Sequence, residues 1–352
     1  MKRRKNGTYS TKTWGSSKFR RRVFYIDRAF PLLGHIAFGI IDRGTNLLQV
    51  RPSSLCPLSC IFCSVDAGPL SRTRAVEYMV NIEHLAEWFR QIAEYKGEKV
   101  QAHIDAAGDP LTHPKIVGLV EKLRKIKATS VISMETHGLL LSTSLADKLD
   151  DAGLDRLNLS IDALDPSLAK RLAGANYYNI MRVVEVAKYI ASSLKMDLLI
   201  APVWVPGLND EEIPRIIEFA LEIGAGKHWP PLGIQKYEAH KYGRKPEGVK
   251  PMRWSEFYRK LEIWEQEYGV KLILKPEDFG IRKAKRVPCP FKKGETLRVR
   301  VVGPGWLKNE WLAVARNRVV SVVGVEGPPP VGRGIRVEII SVKDGIYLGA
   351  PL

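Results

Sequence analysis

Chemistry enters this chain through sulfur. Of its 352 residues only four are cysteine, and Cys56, Cys60 and Cys63 fall within eight positions of one another. With no apolar leader behind Lys2, Arg3, Arg4 and Lys5, the chain reads as cytoplasmic, where clustered thiols bind metal rather than form disulfides. A closed zinc site needs a fourth Cys or His, and the nearest histidines, His35 and His84, each stand 21 positions from the cluster. The spacing C-x3-C-x2-C suits an iron-sulfur cubane with one iron lacking a protein ligand, and such an iron can bind a cofactor. Cys289 stands apart, in the stiff segment Val287-Pro288-Cys289-Pro290-Phe291.

The string Cys56-Pro57-Leu58-Ser59-Cys60-Ile61-Phe62-Cys63 resembles the cluster loop of the radical S-adenosylmethionine (radical SAM) superfamily. The resemblance implies a 4Fe-4S cluster on the three thiolates, with S-adenosylmethionine chelated to the open iron. It also implies reductive cleavage of that cofactor to a 5'-deoxyadenosyl radical, and an electron donor of the ferredoxin or flavodoxin type. Ala107-Gly108-Asp109-Pro110 resembles the family's Gly-Gly-Glu-Pro segment, which contacts the methionyl amino group. Ala stands for the first Gly and Asp for Glu. Glu135-Thr136-His137-Gly138 and Asn158-Leu159-Ser160-Ile161-Asp162 resemble strand ends of the molybdenum-cofactor cyclase branch. On this likeness Glu135, Thr136, Ser160 and Asp162 orient the cofactor's ribose and carboxylate, while Phe62 and Val203 line its apolar part. Without the likeness, Gly108-Asp109-Pro110 is also a turn, and Ser160 and Asp162 are also caps for the helix after Pro166.

The elements needed to position these residues are legible as alternation. Strand-like Leu47 to Arg51, Val100 to Asp105, Val131 to Glu135, Arg156 to Ile161, Asp197 to Val203 and Leu232 to Gln235 alternate with helical Lys115 to Lys125, Leu145 to Asp151, Ile180 to Ser192 and Pro214 to Ile223. Repeated β-then-α units predict an α/β fold, an incomplete (β/α)6 TIM-like barrel with its motifs at the carboxyl ends of the strands. A helix over Trp254 to Gly269 carries an aromatic stripe suited to packing on that barrel. The last sixty residues change character. Five short strands separated by Gly-Pro turns predict a small OB-like all-β barrel, and the ending Gly345-Ile346-Tyr347-Leu348-Gly349-Ala350-Pro351 resembles the RNA-gripping TRAM domain. The expected organisation is a basic extension over 1–44, a radical SAM partial barrel over 45–290 and a TRAM domain over 291–352.

Charge supplies the partner. The chain carries 55 Lys and Arg against 38 Asp and Glu, a net +17. Ten cations lie in residues 1–28 and nineteen in 227–300, whereas 29–226 is slightly acidic. A neutral working core between basic flanks is the footprint of a protein that holds a polyanion such as nucleic acid, and the TRAM resemblance implies tRNA. The segment after the sixth expected strand mixes cations with aromatics, and Lys236, Tyr237, His240, Lys241, Tyr242, Arg244 and Lys245 are the expected RNA contacts. No apolar run is long enough to span a membrane.

The resulting expectation is a tRNA-modifying radical enzyme from an archaeal or otherwise thermophilic source, a transferase that methylates or otherwise alters a nucleotide carbon. Methylthiotransferases resemble it in barrel and TRAM, but they hold a second cluster on three further cysteines, and none precedes Cys56. Cys289 is the remaining candidate for catalysis, by analogy with methylases that carry the methyl group on a loop thiol. One alternative is a radical enzyme maturing a small molecule or peptide; another is an RNA-binding protein with a structural cluster.

Overall fold

The structure is a computed structural model, and it describes residues 11–14, 21–28 and 30–352. Much of the basic segment 1–28 therefore lies outside the described residues. In chain order the elements begin with β1 (Thr11–Trp14), β2 (Arg21–Ile26), β3 (Gly39–Asp42), β4 (Leu47–Arg51), β5 (Val76–Val80), α1 (Ile82–Lys96) and β6 (Val100–Ile104). Then follow α2 (Ile116–Arg124), β7 (Thr129–Thr136), α3 (Thr143–Asp151), β8 (Arg156–Leu159), α4 (Pro166–Ala173), α5 (Ile180–Ser193), β9 (Asp197–Ile200), β10 (Val203–Trp204), α6 (Glu212–Glu222), β11 (Gln235–Lys236) and α7 (Trp254–Tyr268). Strands β12 (Thr296–Pro304), β13 (Glu310–Ala315), β14 (Arg318–Val323), β15 (Gly334–Ser341) and β16 (Leu348–Pro351) complete the chain.

The central sheet is mixed, in the order β3-β4-β6-β7-β8-β9, with β4 to β9 parallel and β3 an antiparallel edge. Alternation decides its two faces. Val50, Ala102, Ile104, Ile132, Met134, Leu157 and Leu159 are wholly buried in the main core. The intervening residues are polar: Gln49 and Arg51 bond Asp105, and His103 bonds Ser133 Oγ at 2.8 Å. Side-chain caps at Asn81, Ser142, Asp165 and Asn179 start the crossover helices, each accepting a backbone N–H of the first turn.

The expected sixth β/α unit is only partly formed. Leu232 makes a single parallel bridge to Ile200, and pairing resumes between β10 and β11. The interruption has a local cause, because Pro202 and Pro231 supply no N–H to the ladder and serve only as acceptors, for Gln235 N and Ile200 N. Of the stripe on α7, Phe257, Leu261 and Trp264 are buried, with Trp264 4.9 Å from Trp204, but Trp254, Tyr258 and Ile263 are exposed. A three-stranded sheet, β1-β2-β5, was not expected.

The last five strands close into a barrel in the order β12-β13-β14-β16-β15 around Val299, Ala313, Val320, Val337 and Ile339. Its final strand runs Leu348–Pro351, within the ending Gly345 to Pro351. This barrel is fastened to the rest. Tyr78 Oη donates to Pro304 O at 3.0 Å, Ala75 N to Trp306 O at 2.8 Å, and Val319 N to Leu33 O at 2.8 Å. Gly34 sits at φ +115°, and a Cβ there would lie 2.2 Å from Val319 O, so only glycine permits the approach. Among the described residues no helix is long and apolar enough to cross a membrane.

Candidate cofactor site

The cysteine loop leaves β4 at the carboxyl end of the parallel strands, where the loops after β6, β7 and β8 converge. Cys56, Cys60 and Cys63 line one cavity of about 370 Å³. Of the expected cofactor residues, Phe62, Gly108, Glu135, Ser160 and Val203 share its wall. Among the described residues no three Cys, His, Asp or Glu side chains converge tightly enough for a single metal ion. A cubane separates its thiolates by the width of the cluster, so three cysteines around one cavity suit it better than zinc. Burial pushes the Cys56 and Cys60 thiols well above their ordinary range, and at Cys60 repulsion from its two neighbours adds to it. A bound iron cluster would, by its charge, offset both costs.

Three clamps hold the loop. Arg244 donates from Nε to Cys60 O at 2.7 Å and from Nη2 to Ala67 O at 2.6 Å, and pairs with Asp66 at 2.7 Å. The end of α4 accepts Ser59 N at Ala173 O and Ile61 N at Leu172 O. Arg74, with its side chain fully buried, donates to Ser54 O at 2.8 Å, to Val65 O at 3.1 Å and to Ala107 O. Its charge is balanced by Glu77 at 3.1 Å, and its guanidinium lies 4.5 Å from the Trp306 ring centroid. One arginine thus ties both flanks of the cysteine loop and the Ala107 segment to the C-terminal barrel.

The other expected cofactor residues stand one layer back. Asp109 is buried, and its carboxylate accepts from Leu111 N at 2.9 Å, Thr136 Oγ1 at 2.8 Å and His137 N at 3.2 Å. Burial raises its pKa, while His137 and the donated hydrogen bonds work the other way. Thr136 is spent on that bond, and Ala107 O on Arg74. Pro110 opens the short helical turn Pro110–Thr112 capped by Asp109. Gly108 is required because a Cβ would lie 2.1 Å from Leu55 O. Asp162 accepts Val203 N at 2.8 Å and faces His137 Nδ1 at 3.9 Å. Burial works to raise the Glu135 carboxyl, yet His103, His137 and Gln235 hold it below the usual range.

The expected RNA residues divide. Lys236, Tyr237 and His240 line the cofactor cavity. Lys236 pairs with Glu238 at 2.6 Å and lies 4.7 Å from the Trp254 ring centroid, and Tyr237 is buried with its hydroxyl unpartnered. An orphaned hydroxyl in a cavity wall fits a site that takes a polar ligand. Arg244 is committed to the cysteine loop, while Lys241, Tyr242 and Lys245 are exposed outside it. Cys289 is not brought to the site. It is exposed, donates to Phe291 O at 3.2 Å and shares a small cleft with Asp42. Asp42 pairs with Leu48 near the amino end of β4, so this thiol lies at the opposite end of the sheet from the cysteine loop.

Sequence reasoning missed His137, whose Nε2 lies 4.0 Å from Cys60 Sγ, and the two arginine clamps. The available signal for His137 was its position immediately after a strand end whose neighbours were already singled out.

Residues 50–220 match the model of the radical SAM superfamily. The chain is 42% identical over 349 residues to an uncharacterized protein of Methanocaldococcus jannaschii, covering 94% of this chain and 80% of that one. It is 36% identical over 186 residues to the GTP 3',8-cyclase of Crocosphaera subtropica, covering 52% of each, so it spans about half the length of that relative. Among solved structures, TYW1 with a lysine-pyruvate adduct bound is similar over 70% of this chain and 80% of that chain, at 20% identity and a TM-score of 0.47.

Proposed function

We propose that this chain, which belongs to the radical SAM superfamily, modifies a carbon of a tRNA nucleotide, by C-methylation or a related radical modification. Its cofactors are a 4Fe-4S cluster and S-adenosylmethionine. When bound they supply a carbon radical that removes hydrogen from an otherwise unreactive position, after an electron from a ferredoxin- or flavodoxin-like donor. On this reading Cys56, Cys60 and Cys63 are the three protein ligands of the cluster. Glu135 and Ser160 meet polar atoms of the cofactor, and Phe62 and Val203 cover its apolar part. Asp109 acts at one remove, holding the Thr136 hydroxyl and the His137 amide in place.

The observation that carries the RNA reading is the outer face of the C-terminal barrel. Arg298 on β12 stands directly opposite Arg336 on β15, with Arg300 and Arg333 nearby, all exposed and none ion-paired among the described residues. Like charges placed opposite one another cost stability, a cost that a bound polyanion removes. This supports identifying the barrel as a TRAM domain. The test is tRNA binding across salt: wild type should show a steep slope, and Arg298→Ala with Arg336→Ala should flatten it by about two phosphate contacts. Absence of tRNA binding by wild type refutes the reading, and comparing modified nucleosides between wild-type and deletion strains identifies the product. A second reading, a free purine nucleotide as substrate, is favoured by the likeness to the GTP 3',8-cyclase. Consumption of GTP without RNA would select it.

A further inference from the structure

Three cavities of this molecule share walls. A cavity of about 390 Å³ beneath the C-terminal barrel includes Lys308, and it meets a larger one of about 670 Å³ at Arg72, Thr73 and Tyr242. The larger cavity in turn shares Arg244 with the cysteine-lined cavity. The three therefore adjoin in a cleft line from the C-terminal barrel, across the outer side of the cysteine loop, to the rim of the cofactor site, with Arg244 standing between the last two.

The charges along it are one-sided. Arg72, Arg171, Lys245 and Lys308 are exposed and make no ion pair among the described residues, and Lys241 lies 5.0 Å from the Tyr242 ring centroid. The acids in the walls of the two outer cavities are largely occupied. Asp66 is buried and holds Arg244, Ser71 and Thr73, and Glu310 accepts Leu307 N at 3.1 Å, which leaves Glu247. Tyr242, half exposed, stands at the junction of the two outer cavities. Unpaired cations along a concave path with an open aromatic ring at its middle match a single-stranded nucleic acid, whose phosphates follow the charges and whose bases stack on rings. A folded acidic protein presents a convex surface and has less use for a narrow cleft.

We propose that this cleft is a track for single-stranded RNA, in which Lys308 and Arg72 take phosphates, Tyr242 stacks a base, and the strand is delivered past Arg244 to the cofactor cavity. The proposal rests on the RNA reading above and adds the route. It also separates the roles of two basic surfaces, since the arginine face of the barrel captures RNA while the cleft sets which nucleotide reaches the chemistry.

The test uses the full-length, cluster-loaded protein with a fluorescein-labelled oligouridylate of about twelve nucleotides, within the site size of single-strand grooves, and bulk tRNA as competitor. Binding is read by anisotropy between about 50 and 200 mM salt. Arg72→Ala with Lys308→Ala should lower the salt slope by about 1.4, two single-strand phosphate contacts. Tyr242→Ala should weaken binding about tenfold with the slope unchanged, and Tyr242→Phe should restore it. Neither Arg72 nor Lys308 has a side-chain bond among the described residues, so unchanged cofactor cleavage without RNA verifies that the variants are folded. Wild-type affinity and slope in the double variant overturn the track while leaving the RNA reading intact. Loss of all RNA binding by wild type removes both. Should the double variant bind RNA normally but be reduced more slowly by an acidic ferredoxin, the cleft is the donor's dock and the proposal is wrong.

Discussion

Arg74 offers a quantitative test of how the cysteine loop is held. Replacing it with methionine keeps much of the volume but removes the charge and every donor. Glu77, 1% exposed, would then retain Arg21 at 3.1 Å and the Ser54 hydroxyl at 2.6 Å, and Ser54 O, Val65 O and Ala107 O would each lose a donor. Breaking a buried pair from one side costs about 3–5 kcal/mol where the other charge is left alone, and Arg21 beside Glu77 keeps this case at the low end, against a total stability on the order of 5–15 kcal/mol. Stripping a donor from buried carbonyls adds roughly 1 kcal/mol or more apiece, so the lower figure is a floor. At about 2–4 °C per kcal/mol, the unfolding midpoint should fall by about 10 °C. Thermal melts of Arg74→Met, Glu77→Gln and the double variant measure this, with iron release to a chelator followed in parallel. The double variant should be less stable than Arg74→Met, because buried Arg21 then loses the carboxylate that the single variant leaves it. A single variant within about 1 kcal/mol of wild type, or a double variant no worse than Arg74→Met, would refute the argument that this pair holds the loop.

Other expectations follow from separate features. Arg244→Ala should leave the chain folded but release iron faster than wild type, because the direct Arg244 bond to Cys60 O is lost; unchanged release kinetics would return Arg244 to a surface role. His35 is buried between Phe38 and Tyr78 and accepts Ala37 N, and burial, aided by Arg51, lowers its pKa to about 3. The unfolded state therefore takes up a proton that the native state refuses as pH falls from about 6.5 towards 3, so stability is lost on acidification by up to about 1.4 kcal/mol per pH unit. Denaturation midpoints of wild type and His35→Gln across that range should show a shallower acid slope in the variant. Cys289→Ala should keep wild-type iron content, cofactor cleavage and modified product, given its exposed place at the far end of the sheet; loss of product with cleavage intact would restore a catalytic role.

The parts of this fold that could be read from sequence are those whose causes are local. Strand Leu47–Arg51 lies where alternation put it, and the helix near 180–192 extends one residue further to Ser193. Both depend on periodicity and caps within a dozen residues. The sixth strand was overestimated because Leu232 to Gln235 has strand composition, while its pairing is decided by Pro202 and Pro231, one of them thirty positions away. The sheet β1-β2-β5 escaped notice because its parallel pair joins residues about fifty positions apart, a contact that no local pattern encodes.

The same distinction divides the candidate site. Cys56, Cys60 and Cys63 are close in sequence and line one cavity, so their spacing was enough to single them out as candidate ligands. Asp109 was recognised by its segment, but its protein partners were not, because a motif names a position but not the direction of a side chain. The carboxylate turns to the neighbouring strand end, where Thr136 and His137 satisfy it. Arg74 and Arg244 were hidden for the opposite reason. Each looks like one more cation in a basic chain, yet one crosses 178 positions to reach Asp66 and the other stacks on Trp306 of a separate barrel. Net charge therefore overstated the cations free for RNA. Unpaired cations line the barrel's arginine face and the cleft from Lys308 to Lys245, and on the RNA reading it is there that substitutions should change the salt dependence of binding.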